Sequence, residues 1–205
     1  GGGSDYGIWD TNVGMKNLTI RNVTIVNFGT GVYFEDGDCS TNLVGFDMHD
    51  VEIDESVNNA FNLQCIRNAT IYNNTMHSES RFSNSYYLEF SKNTINLSSG
   101  GSYGIELVAP RYYNNLTNNK IFSETDGNTY RGIYVTATNA DSDVYVFNNT
   151  IENLEHGLWL YNYPNMGIYD SNKILNCSYS GISFDNSPRD AIIKNNIISN
   201  AGGNN

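Results

Sequence analysis

The stretch of sequence that decides the fold is Asn148-Asn149-Thr150-Ile151-Glu152-Asn153-Leu154-Glu155-His156-Gly157-Leu158-Trp159-Leu160. It contains two short patterns: an asparagine followed by a polar and then an apolar residue, and a glycine followed by apolar residues at alternate positions. Apolar residues at every second position are typical of short β-strands with one buried face. Asparagine and glycine are typical of the turns between such strands. The stretch therefore predicts short strands separated by sharp turns.

Both patterns recur along the whole chain. The asparagine pattern begins at Asn22, Asp50, Asn74, Asn93, Asn119, Asn149, Asn172 and Asn196. Successive starts are 19 to 30 residues apart, an average of about 25, which is a repeat length typical of solenoids. The glycine pattern begins at Gly7, Gly31, Gly104, Gly132, Gly157 and Gly181, with Ala60 in place of the glycine in one further repeat.

Repeats of this length predict a stack of coils. Each repeat contains two or three short strands, which are too few to bury an apolar face alone. When repeats stack, their strands pair in parallel about 4.8 Å apart and their alternate apolar residues fill a shared interior. Leucine-rich repeats need leucine at fixed offsets, and propeller blades need about 40 residues or more. We therefore predict an all-β parallel β-helix of about eight coils, forming a single domain over residues 1–205.

The asparagine turns predict a ladder of side-chain amides along the axis of the β-helix. Each amide donates to the side-chain oxygen of the asparagine in the neighbouring coil, and asparagine also tolerates the left-handed backbone of a sharp turn. Asp50 accepts hydrogen bonds but does not donate them when ionised, so we expect a weak step there. The predicted core consists of Ile20, Ile25, Val32, Ile53, Leu63, Ile95, Leu107, Ile121, Val135, Ile151, Leu160, Ile174 and Ile182.

The stretch from Asn148 to Leu160 resembles the right-handed parallel β-helix repeat of the pectin-lyase-like superfamily, and most of all its prokaryotic and archaeal cell-surface repeat proteins. The resemblance covers residues 6–203 and implies a right-handed, single-stranded β-helix in an extracellular or cell-surface protein. It implies no single activity, because the superfamily includes lyases, hydrolases, tailspikes, adhesins and spacers. Of the motifs that its hydrolases carry, only His156-Gly157 is present here.

The outward residues of the glycine-pattern strands predict a column on one face of the β-helix. This column contains Trp9, Tyr33, Asn62, Glu106, Tyr134, Trp159 and Ser183, with one coil unassigned. Trp9, Tyr33, Tyr134 and Trp159 are candidates for carbohydrate binding, because sugar rings stack on aromatic faces. The alternatives are stacking for stability and contact with a neighbouring subunit.

Catalysis of glycoside cleavage needs two carboxyl groups at a defined separation. Glu106 is the one acid assigned to the column, and Glu89 is the second candidate. The residues after Glu89 align it with the strand before an asparagine turn, on another face. The sequence therefore favours a protein with no catalytic role.

Charge and composition limit the remaining functions. Lysine and arginine total 11 and aspartate and glutamate total 22, giving a net charge of −11 that disfavours nucleic acid as a partner. The sequence has no apolar run long enough for a transmembrane segment. It predicts no organic cofactor, and Asp36 and Asp38 are weak candidates for calcium in an acidic turn. Cys39, Cys65 and Cys177 do not form a disulfide framework, although Cys39 or Cys177 could join two chains.

Candidate glycosylation sites are frequent. Besides Asn22, which is assigned to the ladder, the sequons begin at Asn17, Asn68, Asn73, Asn96, Asn115, Asn148 and Asn176. They permit glycosylation in an extracytoplasmic compartment.

The chain begins and ends within repeats and carries no cap, so we expect a segment of a larger protein or a subunit that stacks head to tail. The leading functional hypothesis is a non-catalytic surface-layer, sheath or filament subunit whose partner is a second copy, bound head to tail or laterally. The alternative is a β-helix module that binds or degrades a surface polysaccharide.

Overall fold

The computed structural model is a right-handed parallel β-helix, and it describes residues 5–11, 14–36, 39, 43–54, 58–98, 102–136, 142–162, 167–186 and 190–200. These residues form 23 strands and no helix. Accordingly, the described part of the chain contains no helix of the length and apolar character that crossing a membrane requires.

The strands are β1 (Tyr6–Asp10), β2 (Thr19–Arg21), β3 (Thr24–Val26), β4 (Thr30–Phe34), β5 (Leu43–Val44), β6 (Asp47–His49), β7 (Glu52–Asp54), β8 (Asn59–Gln64), β9 (Ile66–Tyr72), β10 (Thr75–Met76), β11 (Glu79–Ser83), β12 (Tyr86–Ser91), β13 (Thr94–Asn96), β14 (Tyr103–Val108), β15 (Arg111–Thr117), β16 (Lys120–Thr136), β17 (Ser142–Phe147), β18 (Thr150–Tyr161), β19 (Gly167–Asp170), β20 (Lys173–Leu175), β21 (Ser180–Asp185), β22 (Ile192–Lys194) and β23 (Ile197–Ser199).

Each coil passes through three faces in turn. The first face contains β1, β4, β8, β11, β14, the later parts of β16 and β18, and β21. The second face is the nine-stranded sheet of β2, β5, β6, β9, β12, β15, β17, β19 and β22. The third face contains β3, β7, β10, β13, the early parts of β16 and β18, β20 and β23. Because β16 and β18 run from the third face into the first, these two faces form one 14-stranded sheet in which all pairing is parallel.

The amide ladder lies at the turn between the second and third faces. In each step the Nδ2 atom of one asparagine donates to Oδ1 of the asparagine in the next coil, at 3.0–3.2 Å. The same Oδ1 accepts the backbone N–H of the first asparagine at 2.8–3.0 Å. The members are Asn74, Asn93, Asn119, Asn149, Asn172 and Asn196.

Asn22 and Asp50 do not belong to the ladder, which corrects the assignment made from the sequence. Glu52 pairs with Thr75, so Val51 takes the ladder position and its N–H donates to Asn74 Oδ1 at 3.0 Å. Asn22 and Asp50 lie one residue earlier, in a left-handed turn position with φ of 54° and 55°. The ladder therefore ends at Asn74, where valine supplies no amide, instead of weakening at Asp50.

The glycine and asparagine patterns have a common packing cause. A Cβ on Gly104 would lie 2.4 Å from Cγ2 of Ile121 and 2.8 Å from the carbonyl oxygen of Gly132. Ile121 follows ladder member Asn119 by two residues, so the apolar residue of one pattern fills the space that the glycine of the other leaves free. The predicted core residues are buried, except Ile182, which is half-buried in the last strand of the first face.

Candidate functional site

The first face carries the outward column expected from the sequence, and its register is continuous. Trp9 pairs with Tyr33, Tyr33 with Asn62, Glu106 with Tyr134, Tyr134 with Trp159, and Trp159 with Ser183. Arg81 fills the unassigned coil, between Asn62 and Glu106. The column thus has a charged centre with aromatic residues on both sides along the axis.

Glu79 and Glu106 form a buried pair of acids at this centre. Their exposed fractions are 7% and 8%, and their carboxyl groups are hydrogen-bonded to each other. Oε2 of Glu79 also accepts the N–H groups of Ser102 at 2.9 Å and Tyr103 at 3.3 Å.

The environment of Glu106 makes it titrate near neutral pH. Desolvation by burial raises its pKa to about 7, and Glu79 adds to this effect while Arg81 opposes it. Nε of Arg81 lies 3.1 Å from Oε2 of Glu106. Glycosidases hold their two carboxyl groups about 5–5.5 Å or about 6.5–9.5 Å apart, to leave room for a sugar carbon or a water. Two carboxyl groups in direct hydrogen-bond contact leave no space between them for a sugar carbon or a water. The pair therefore suits ligand binding or proton binding better than hydrolysis.

The aromatic residues on the C-terminal side of the acid pair are already in contact with one another. The ring centroids of Tyr103 and Tyr134 are 4.7 Å apart, and those of Tyr134 and Trp159 are 5.3 Å apart. The guanidinium of Arg131 lies 4.6 Å from the centroid of Trp159, and His156 stacks on the same ring at 5.0 Å. Because these groups cover much of the indole ring, the geometry at Trp159 favours stacking for stability over sugar binding.

The aromatic residues at the N-terminal end of the column are more open. Trp9 is 57% exposed. Its ring centroid is 6.3 Å from that of Tyr6, which contacts Tyr33 at 4.6 Å. At this end of the column, therefore, an indole ring is exposed to solvent and two tyrosine rings pack beside it.

His156 forms a second polar contact on the first face. Its Nδ1 lies 2.7 Å from Oγ of Ser180, and its Nε2 lies 4.0 Å from Oε1 of Glu155. Burial lowers the pKa of His156, so the imidazole is neutral at pH 7. The distance to Glu155 exceeds a hydrogen bond, so the three groups do not form the relay of nucleophile, base and acid that activates a serine.

Glu89 does not join Glu106, because the two residues lie on different faces. Glu89 is exposed on β12 of the second face, paired with Thr70 and Asn115. The partner of Glu106 is Glu79, which the sequence analysis missed. Glu79 stands where other coils have glycine, and Ser80 stands where they have an apolar residue, so only Phe82 preserves the pattern in that coil.

The acidic residues offer a different ligand set from the one expected. Asp36 is buried and Asp38 lies outside the described residues, so calcium binding at this turn stays a prediction. Glu52, Asp54 and His77 on the third face each place a ligand atom within 4.8 Å of the others. This mixed set of oxygen and nitrogen donors suits a transition metal better than calcium.

Two of the cysteines are paired within the chain, whereas the sequence predicted no disulfide framework and considered Cys39 only for a link between chains. Cys39 and Cys65 form a disulfide with a Cα–Cα distance of 5.2 Å. The parallel stack brings residues 26 positions apart into neighbouring coils. Cys177 is a free thiol and is fully buried, so it is not accessible to a second chain. Cys39 is already paired with Cys65, so neither residue forms the predicted link between chains in the folded, oxidised protein.

The candidate glycosylation sites differ in accessibility. The exposed candidates are Asn17, Asn68, Asn73, Asn148 and Asn176. Asn115 is half-buried, and Asn96 is 7% exposed on the third face. Burial excludes Asn96 as an acceptor in the folded protein, whereas glycosylation at the other positions stays a prediction.

A family model for the right-handed beta helix region matches residues 6–171 and, in a second overlapping match, residues 84–204. The chain therefore belongs to this family of right-handed β-helix proteins. No curated protein and no solved structure matches the chain.

Proposed function

We propose that the chain is an extracellular structural protein: a surface-layer, sheath or filament subunit, or a repeat segment of one. In this assembly the last coil of the chain stacks on a further coil of the same kind. The lengthwise amide ladder and the parallel sheets support a stiff rod. The Cys39–Cys65 disulfide supports an oxidising, extracytoplasmic compartment.

The observation that carries this proposal is the apolar surface of the last described coil. Ile193 and Ile198 pair with the buried residues Tyr169 and Ile174, so they continue the core to the end of the stack, and they are 42% and 48% exposed. Within the described residues, β22 and β23 each pair with a strand on one side only. Open strand edges beside apolar side chains are the surface that another coil of the same kind buries. A second copy supplies such a coil through its first strands, where Val23 lies in register with the buried Val51 and is 37% exposed.

The test is the oligomeric state of the 205-residue chain. We expect light scattering to show association that increases with concentration, and negative-stain electron microscopy to show linear stacks. Ile198→Lys places a charge on the end surface, because Ile198 pairs with the buried Ile174 and points into the coil, and it should leave monomers. Phe147→Lys is the matched control, because Phe147 is similarly exposed at 45% but lies on the flank of the coil, in the second face. Monomers of the wild-type chain at all concentrations would contradict the proposal.

A second candidate is glycan binding along the first face. It is favoured by the exposed indole of Trp9 and by the acid pair beside the aromatic column. We expect Trp9→Ala to weaken the binding of acidic or neutral glycans. Glu106→Gln removes an ionisable carboxyl group, so it should abolish any glycan cleavage that depends on this group and leave binding to Trp9 in place. If the wild-type chain depolymerises a glycan and Glu106→Gln does not, the protein is an enzyme. If neither variant affects binding or turnover, this candidate is wrong.

A further inference from the structure

The second face carries a group of tyrosines that the sequence pattern did not single out. Tyr87, Tyr112 and Tyr113 are 46%, 47% and 50% exposed. The rings of Tyr87 and Tyr112 are nearly parallel, with centroids 5.6 Å apart and an interplanar angle of 5°. The Tyr113 ring lies 6.2 Å from that of Tyr87. Three large rings therefore stand close together at the surface on two neighbouring coils.

The backbone under two of these rings is in a conformation that tyrosine rarely adopts. Tyr87 and Tyr112 have φ of 55° and 54°. Register along the second face aligns them with a column of turn residues in the earlier coils. The earlier members of this column are Asn17, Gly45 and Asn68.

Asparagine and glycine adopt positive φ readily, whereas a bulky side chain does so at a cost. Two coils thus carry tyrosine where the fold favours asparagine or glycine. Strained residues of this kind concentrate at binding sites, where the side chain is needed in one direction. The backbone at these positions therefore disfavours tyrosine and offsets part of the stability that the stacked rings contribute.

Beside the rings lies a cleft of about 280 Å³, which we call the tyrosine cleft. Its aromatic walls come from Tyr87 and Tyr113. Its polar groups are the side chains of Asn68, Thr70, Glu89 and Asn115. Aromatic faces beside amide, hydroxyl and carboxylate groups match the alternation of apolar C–H faces and hydroxyl groups on a sugar.

The charges at the cleft favour a neutral sugar over an acidic one. Glu89 is the acid among the lining residues, and no lysine or arginine lines the cleft. Arg67 and Arg111 lie over the ring of Tyr86, at 4.8 Å and 5.8 Å from its centroid, beside the cleft and not in it. A uronate would meet the carboxylate of Glu89 and a chain of net charge −11, so it would be repelled.

We propose that the tyrosine cleft is a binding site for one or two units of a neutral polysaccharide, with Tyr87 and Tyr113 stacking on the sugar and Glu89 accepting hydrogen bonds from its hydroxyl groups. The volume of about 280 Å³ is just below the range for small-ligand sites, about 300–1,000 Å³, so the cleft accommodates only a short saccharide segment. The site is on a different face from the Trp9–Trp159 column and does not depend on the functions proposed above.

The test is calorimetric titration with the hexasaccharides of β-1,4-glucose, β-1,4-mannose and α-1,4-glucose, and with hexagalacturonate as the acidic probe. The chain is produced in a host that does not glycosylate, so that the amides of Asn68 and Asn115 stay free. We expect at least one neutral hexasaccharide to bind and hexagalacturonate not to bind. Tyr87→Asn should weaken that binding at least tenfold without loss of thermal stability, because asparagine accepts the left-handed backbone.

Glu89→Ala is the second variant, since it keeps both rings and removes the acceptor, and it should also weaken binding. Phe147→Thr is the matched control, because Phe147 has a similar exposure on the same face but does not line the cleft. Unchanged binding in both Tyr87→Asn and Glu89→Ala would overturn the proposal, as would no binding of any neutral probe. If Tyr87→Asn instead converts a dimer into monomers without affecting sugar binding, the tyrosines form a contact between copies and the proposal is wrong.

Discussion

Asn149 accepts two hydrogen bonds from Asn119 through a single atom, its Oδ1. The backbone N–H of Asn119 lies 2.9 Å from this oxygen, and the side-chain Nδ2 lies 3.0 Å from it. Nδ2 of Asn149 in turn donates to Oδ1 of Asn172 at 3.0 Å and to the carbonyl oxygen of Leu116 at 2.8 Å. Asn149 thus satisfies buried donors in the preceding coil and buried acceptors in the preceding and following coils, so its removal affects both neighbours.

Asn149→Ala should therefore be among the most destabilising substitutions in the chain. It leaves two donors of Asn119 buried without an acceptor, and each such group costs about 1–3 kcal/mol. We expect a loss of about 3 kcal/mol in the free energy of unfolding, measured by urea denaturation. The control is Asn148→Gly, because Asn148 is exposed with φ of 53°, a value that glycine adopts freely. A similar loss in both variants would show that the ladder hydrogen bonds are not the cause of the destabilisation.

The contact between Gly104 and Ile121 predicts that Gly104 tolerates no side chain while Ile121 is in place. In Gly104→Ala the new Cβ meets both an isoleucine methyl and a backbone oxygen at less than 3.0 Å. Overpacking of this kind costs about 1–3 kcal/mol. Gly14→Ala is the control, since a Cβ there has nothing within 4 Å, and it should change stability by less than about 0.5 kcal/mol. Thermal unfolding of the two variants side by side tests this, and equal melting temperatures would contradict it.

The fold was predictable from the sequence because its two patterns are physically linked. Gly104 and Ile121 pack against each other, and the glycine at the same position of most other coils packs against an isoleucine in the same way, so the two patterns recur together. The position of the ladder was less predictable at its start. Asparagine suits both the left-handed turn position of Asn73 and the ladder position of Asn74. The amino-acid sequence alone therefore does not show which of these two positions Asn22 occupies.

The candidate sites were less predictable, because they lie where the repeat is irregular. Glu79 replaces the patterned glycine, and the register shifts between Glu79 and Ser80, which turns the carboxyl group towards Glu106. Tyr87 and Tyr112 occupy turn positions with positive φ, and the alternating apolar pattern of the strands carries no information about such positions. The Cys39–Cys65 pair depends on which residues of neighbouring coils coincide, and this requires the exact length of each coil.

The disulfide predicts a defined thiol count. In denaturant without reductant, Cys177 should be the one thiol that reacts with Ellman's reagent, and three should react after reduction. In the native chain Cys177 should react slowly, because burial raises its pKa to about 11 and keeps it away from solvent. Closing a loop between residues 26 positions apart stabilises the fold by about 3 kcal/mol, so reduction should lower the free energy of unfolding by about that amount. Three reactive thiols before reduction would exclude the pairing.

The acid pair predicts that the fold loses stability as the pH rises towards neutrality. The pKa of Glu106 is about 7 in the folded chain, above its ordinary value of 4.5, so the folded chain binds more protons than the unfolded chain between these values. The resulting stabilisation is fully present below about pH 4.5 and is lost as the pH rises through about 7. We expect a loss of about 2 kcal/mol between pH 5 and pH 8, measured by urea denaturation. Glu106→Gln keeps a neutral partner for Glu79 and should remove most of this slope, whereas Glu89→Gln, at an exposed site on the second face, should preserve it. A slope that persists in Glu106→Gln would assign the titration to other groups and remove the physical basis of the buried pair.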